Sequence, residues 1–315
     1  MIKILHSADW HLDAPLLLHT PEQSQRLRTI LQTIPQRISE LCKQQQCDLV
    51  LLSGDLFDGG YSADTVRNFK NALADMAVPV FIAPGNHDYV GTDSPWLNQH
   101  WPENVHIFSH TAIEAVPLPQ LDCRIYGAGF TGMDCPALLE GFTAQQTERY
   151  AIGVFHADPT QTTSSYCPVT AQQVERSNLN YLALGHIHKG GSFRAGKTLC
   201  AWPGCPMGRG YDELGQKGVL ITTMDAETVS TFIPLGLPEF HDLELSAEAS
   251  LSSILPGAGN ENFYRITFTG PSDPLNLNAL AADFSHFPNL ELRDRTVPPL
   301  DIWGSADTDS FDFAF

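Results

Sequence analysis

An α/β fold follows from three features of the chain. Short apolar runs each end in polar residues, amphipathic stretches at helical spacing lie between them, and past Gly190 the pattern turns to short strands with Gly and Pro turns. The first run, Ile2 to Leu5, leads into Ser7, Ala8 and Asp9, as a buried strand does when it delivers a polar residue from its C-terminal end. After it, Leu27, Ile30, Leu31, Ile34, Ile38 and Leu41 form one apolar helical face, which Pro35 should kink or split because proline lacks the amide a helix interior needs. Leu49 to Leu52 ends in Ser53-Gly54-Asp55, and a second helix is expected from Ala63 to Met76. Val78 to Ala83 then ends in Pro84-Gly85-Asn86-His87-Asp88, Ala151 to Phe155 in His156, and Tyr181 to Leu184 in Gly185-His186. Strands alternating with helices imply a mixed or parallel sheet whose ligands collect beyond the carboxyl ends, so the polar tips are expected on one edge.

Gly218 to Thr223 and Thr228 to Pro234 read as an antiparallel hairpin with Asp225-Ala226 near its turn, which suggests a second β-sheet. From residue 241 to 315, twelve acidic residues face three arginines, a net charge of −9. Within that stretch Tyr264 to Thr269, Leu275 to Phe284 and Leu290 to Leu292 read as strand, helix and strand. The expected division is a main domain over 1–235, an accessory domain over 236–300, and an acidic, Phe-rich tail over 301–315 that is either frayed or a strand-like docking segment.

Composition excludes several classes. At 315 residues, 43% hydrophobic and 17% charged, the chain fits neither a collagenous, a coiled-coil nor a disordered protein. No run is long enough to span a membrane and the N-terminus lacks a signal-peptide pattern, so a cytoplasmic protein with no membrane association is expected. Seven scattered cysteines with no C-x-x-C pair read as reduced, mostly buried thiols. The net charge of −18 argues against a polyanionic partner. Against that, Lys189, Arg194, Lys197, Arg209 and Lys217 meet only Asp212 and Glu213, so residues 189–217 carry +3. The same segment holds Trp202 to Tyr211, where aromatic rings and a guanidinium are suited to grip a substrate backbone, and Arg209 is expected to contact phosphate.

The polar tips hold Asp9-x-His11, Asp55, Asn86-His87, His156 and His186-x-His188, a set of oxygen and nitrogen donors suited to two divalent transition metals. Side chains at i and i+2 on a strand end point the same way, so Asp9 with His11 and His186 with His188 each offer a pair of donors, and Asp55 is the natural bridge. His6, His19, His100, His106, His110, His241 and His286 are read as structural.

D-x-H, G-D, G-N-H-D, a lone strand-end His and G-H-x-H, in this order, resemble the calcineurin-like metallophosphoesterases. The blocks HSADWHLD from His6 and GDLFD from Gly54 look more narrowly like the SbcD and YhaO group of DNA-repair exonucleases, and the resemblance covers residues 1 to 235. It implies a four-layer α/β/β/α sandwich with a small C-terminal α/β cap. It also implies one metal on Asp9, His11, Asp55 and His188, and another on Asp55, Asn86, His156 and His186. His87, free of metal, would act as general acid or transition-state stabiliser, and Asp13, Asp58 and Asp88 would orient ligand imidazoles.

The implied activity is hydrolysis of a phosphodiester, most directly DNA, by in-line attack of a metal-bridging hydroxide. Manganese is the metal by analogy, with Fe, Zn or Co accepted by the same donors. The implied partner is an SbcC-like ATPase, with a homodimer left open. Only Val297 to Phe315 follow the cap, which leaves little room for the long helical segment by which such nucleases grip that partner. A phosphodiesterase or phosphatase for small esters such as cyclic nucleotides, and a non-catalytic regulatory subunit of the ATPase, stay as alternatives.

Overall fold

The computed structural model describes residues 1–255 and 261–299. They form two compact units, one of Met1–Arg209 with Gln216–Leu237, the other of Gly210–Gly215 with the chain from Pro238 onward. The expected tail over 301–315 lies outside the described residues.

In the larger unit the strands run, in chain order, β1 (Ile2–Ser7), β2 (Leu49–Leu52), β3 (Val80–Ile82), β4 (Val105–Ile107), β5 (Glu114–Leu118) and β6 (Cys123–Gly127). They continue with β7 (Tyr150–His156), β8 (Tyr181–Gly185), β9 (Lys189–Ala195), β10 (Thr198–Gly204), β11 (Gly218–Met224) and β12 (Thr228–Pro234). Helices α1 (Pro21–Leu31), α2 (Ile34–Gln45), α3 (Ala63–Met76), α4 (Pro95–Asn98) and α5 (Ala171–Arg176) fall between them. One six-stranded sheet has the order β12-β11-β1-β2-β3-β4 and the other β5-β6-β7-β8-β10-β9. Strands β1 to β4 are parallel, as are β6 to β8, because helices or long loops carry the chain back between them.

The two sheets bury a common core of Ile4, Leu49, Leu51 and Phe81 against Ile125, Ile152, Val154 and Ala183. On its other face the second sheet packs Phe155, Leu182 and Leu184 with Val174 of α5. Strand β2 is apolar throughout and buried throughout, as strands covered on both faces are. His6 on β1 is also fully buried; its ring meets the Tyr181 hydroxyl at 2.8 Å and the Ser53 hydroxyl at 2.9 Å, joining the two sheets. Burial pushes this imidazole down to about 3, so it stays neutral.

Pro35 does split the first helical stretch: α1 ends at Leu31 and α2 starts at Ile34 with the proline in its first turn, where no amide is missed. The hairpin of β11 and β12 does not open a new sheet. It extends the first one, with β11 antiparallel to β1, while β9 and β10 close the edge of the second. All seven cysteines are free and buried. Among the described residues no helix is long and apolar enough to cross a membrane.

The smaller unit is a parallel sheet of β13 (Phe240–Ser246), β14 (Phe263–Pro271) and β15 (Leu290–Val297), with α6 (Leu277–Asp283) linking the last two. Ile266, Phe268 and Phe287 lie in its core. Residues 210–215 join it, and the Arg265 guanidinium sits 4.3 Å from the centre of the Tyr211 ring.

Because Ile152 is wholly buried between the sheets, Ile152→Ala should destabilise the larger unit by about 2–5 kcal/mol. Urea denaturation checks this as a lower midpoint at unchanged slope.

Candidate metal centre

The five polar tips converge as the parallel topology requires. Asp9 and His11 follow β1, Asp55 follows β2, Asn86 and His87 follow β3, His156 ends β7, and His186 and His188 follow β8. Donors from both sheets therefore meet at one edge.

The strand-pleat account of the paired donors does not hold. Strand β1 stops at Ser7, and Asp9 and His11 lie in a loop with φ of 56° and 46°; Asp55 and His186 are also left-handed, at 52° and 89°. Such backbone costs of order 1–3 kcal/mol per residue and persists where its surroundings over-determine it. Here the Asp9 amide donates to the Gly54 carbonyl at 3.0 Å, that of His11 to the Asp55 carbonyl at 3.0 Å, and that of Leu12 to the Leu56 carbonyl at 2.9 Å. The donors thus sit on two loops zipped together. Glycine is required at 85, where a Cβ would stand 2.2 Å from Asp55 Oδ1.

Asp9, His11 and His188 bring one ligand atom each within 4.8 Å of one another, as do Asp9, Asp55 and His156. Asp55 Oδ2 lies 3.8 Å from His11 Nε2 and 3.4 Å from His156 Nε2. Asn86 Oδ1 is 3.0 Å from His156 Nε2, and the His186 ring is centred 5.1 Å from that of His156. The seven residues read as metal ligands are thus brought together.

Their hydrogen bonds fit a cation. His156 Nδ1 donates to the Ser53 carbonyl at 2.9 Å, which can only accept, so Nε2 presents its lone pair to Asp55 and Asn86. His11 Nδ1 donates to Asp58 at 2.9 Å, which leaves Nε2 facing His188 Nε2 at 3.2 Å. Asp9 Oδ1 accepts the His186 amide at 2.9 Å, but Oδ2 is buried with no partner. An orphaned carboxylate oxygen among imidazole lone pairs suits a divalent transition metal. Burial pushes the Asp55 carboxyl up, but the facing imidazoles of His156 and His11 outweigh it and hold the group below its ordinary value.

The three outlying carboxylates differ from one another. Asp58 accepts from Nδ1 of both His11 and His87, at 2.9 and 2.8 Å, and so orients the imidazole of His11, a candidate ligand. Asp88 instead accepts the amides of Gly85 at 2.7 Å and Leu56 at 2.8 Å, fastening one loop to the other. Burial, with repulsion from Asp55, pushes it up to about 7. Asp13 also touches no imidazole: it accepts from Gln32 at 2.7 Å, the Ser62 amide at 2.6 Å and the Thr65 hydroxyl at 2.8 Å, where α3 begins. The expectation that Asp13 and Asp88 orient imidazoles is corrected accordingly; both hold backbone or helix ends.

Arg209 reaches the centre, its Nη2 3.1 Å from His188 Nδ1. Its basic neighbours in sequence are engaged elsewhere: Lys197 reaches Gln146, and Arg194 donates to the Thr228 carbonyl. Trp202 donates to the Lys189 carbonyl at 2.9 Å and packs on Phe193. Sequence reading missed Tyr166, whose ring is centred 4.7 Å from that of His186; it comes from a loop with no motif around it.

Asp58 raises His87, chiefly through their hydrogen bond, and is itself held well below the carboxylate range by bonds from His11 and then His87. The stabilisation that His87 draws from the pair is complete below its unfolded value of about 6.5 and is lost as pH rises through the raised folded value. That of Asp58 is present above its unfolded value of about 3.9 and is lost as pH falls through the depressed one. In metal-free Asp58→Asn, His87 should therefore titrate at lower pH than in wild type, read from its imidazole NMR resonances. An unchanged titration would show that the bond is not formed in solution.

A family model described as calcineurin-like phosphoesterase matches residues 2–190. An uncharacterized metallophosphoesterase, YhaO of Bacillus subtilis (strain 168), is 30% identical over 230 residues, which are 69% of this chain and 56% of that protein. The chain thus spans little more than half the length of YhaO. The SbcD component of the SbcCD nuclease of Staphylococcus epidermidis is 23% identical over 354 aligned positions, covering 94% of this chain and 91% of that one. Among solved structures, a dimetal phosphatase from Danio rerio is 11% identical with a TM-score of 0.48, covering 73% of this chain and 98% of the other. The family match extends over more than half of the sequence and includes every strand tip that carries a candidate ligand, and on that ground this chain belongs to the calcineurin-like phosphoesterase family.

Proposed function

We propose that the protein is a divalent-metal-dependent phosphodiesterase that cleaves DNA and acts in DNA repair with an ATPase partner. The observation that carries this reading is likeness to a nuclease component along 94% of the chain, taken together with clustered carboxylate and imidazole donors at one sheet edge. Asp9, His11, Asp55 and His188 would hold one cation and Asp55, Asn86, His156 and His186 the other, manganese being the metal we favour. Such cations, when bound, lower the pKa of water and neutralise charge on the phosphoryl oxygens.

The remaining work falls to the chain itself. His87 is nearly half exposed and bonded to Asp58, so it stands at the centre's open side with its proton retained to higher pH, suited to protonate a leaving oxygen. Arg209, 3.1 Å from His188, would meet a non-bridging phosphate oxygen in this reading. In this reading the smaller unit is an accessory cap and the protein works in the cytoplasm.

The test is incubation of the protein with manganese and end-labelled single- and double-stranded DNA, with bis-p-nitrophenyl phosphate alongside. We expect DNA shortening that falls by about 10²–10⁴-fold in His87→Ala, the usual contribution of a positioned acid. Turnover of the small diester with DNA intact would replace the nuclease reading with that of a small-molecule diesterase. In Arg209→Ala, DNA affinity should fall on all sequences alike and the salt slope of binding should drop by about one.

A further inference from the structure

A cavity of about 490 Å³ opens beside the candidate centre, lined on one side by Asn86 and His87 and on the others by Phe57, Tyr61, Tyr89 and Met133 among its walls. Its size falls in the range of about 300–1,000 Å³ typical of small-molecule sites. Nothing in the hydrolysis by the metal centre itself uses it.

The walls are built to stay put. Phe57 is buried and packs on Phe69 and Trp96, with ring centres 5.3 and 5.5 Å away. Tyr61 lies 5.9 Å from Phe57 and donates its hydroxyl to the Asp93 carbonyl, while Asn98 donates to the Thr92 carbonyl at 2.6 Å, so the facing loop is tied at both points. Tyr89 and Met133 nevertheless leave 38% and 53% of their surface in water. Large apolar side chains held open at a preformed cavity mark a site for a flat, uncharged group.

The lining suits a neutral group better than a second phosphate. Besides the tyrosines, the ionisable residues of the lining are His87, Asp88 and Asp93, and no lysine or arginine is among them. With no lysine or arginine to meet it, a phosphate would find little there, whereas a neutral ring would meet two tyrosines and a thioether.

We propose that this cavity is a nucleobase subsite, which holds the base carried by the leaving nucleoside and so sets the leaving oxygen against His87. The inference rests on the phosphodiesterase reading and adds the class of group that the enzyme grips. Because every base has a π-face, the subsite requires a base without selecting which one.

Two measurements on the full chain test it. In saturation-transfer NMR with the metal-free protein and deoxyadenosine, the base protons should receive transfer, and Tyr61→Ala combined with Tyr89→Ala should abolish it. With manganese, kcat/KM is compared for a dinucleoside phosphate and for the same diester with an abasic residue on the leaving side. We expect a ratio of roughly ten in wild type, the lower end of what stacking on an aromatic ring supplies. The ratio should fall to about one in Tyr89→Ala and be kept in Tyr89→Phe, which retains the ring. Equal hydrolysis of both diesters by wild type overturns the subsite and leaves the diesterase reading standing. Hydrolysis of neither diester, nor of bis-p-nitrophenyl phosphate, overturns the diesterase reading and the subsite with it.

Discussion

Two carboxylates, Asp9 and Asp55, are shut away from water together with the imidazoles of His11 and His156, and the surrounding structure depends on keeping them there. Burying an ion costs several kcal/mol unless close partners replace its water. Main-chain amides do part of this: His186 donates to Asp9, and His87 to Asp55. Those amides point inward only because the loops bend through left-handed backbone at Asp9, His11, Asp55 and His186, and the loops bend because Asp88 and the zipped carbonyls hold them. One oxygen of Asp9 is still unpartnered, and a cation is the group that would complete it.

Much of this was legible in the sequence. Strands β1, β2, β7 and β8 and helix α3 are the most apolar or most periodic stretches, so hydrophobic pattern alone places them, and each candidate ligand sits where such a strand runs out. Among the strands that escaped, β4, β5 and β9 have alternating or polar faces at the sheet margins, where edge position rather than propensity decides the conformation, while β6 and β10 are largely buried but mix Arg124, Thr198 and Trp202 into their apolar residues. The ligand blocks were readable as letters, but the bend that brings Asp9 beside His11 was not, since a left-handed aspartate looks in sequence like any other. Asp13 and Asp88 were placed near the right loops and given the wrong partners for a similar reason. A carboxylate that accepts main-chain amides and one that accepts an imidazole share the same one-letter code.

Charge shows the same gap between sum and location. The chain carries −18 and its segment 189–217 carries +3, yet of the basic residues there it is Arg209 that touches a candidate ligand, while Arg194 and Lys197 serve neighbouring loops and strands. A local surplus read along the sequence is diluted once the strand pair β9 and β10 turns its members outward.

The place of β1 in its sheet has a consequence for how the protein is made. The earliest candidate ligands follow it in the chain, yet it lies between β2 and β11, and β11 begins at Gly218. A ribosome that has released Asp9, His11 and Asp55 has still to make more than half of the larger unit before the strand beneath them gains its second neighbour, and the last imidazole, on His188, also arrives late. Contacts between such distant stretches close slowly because the loop entropy comes first. A cation that needed His188 beside Asp9 could be held only after β8 and the loop that follows it have been made.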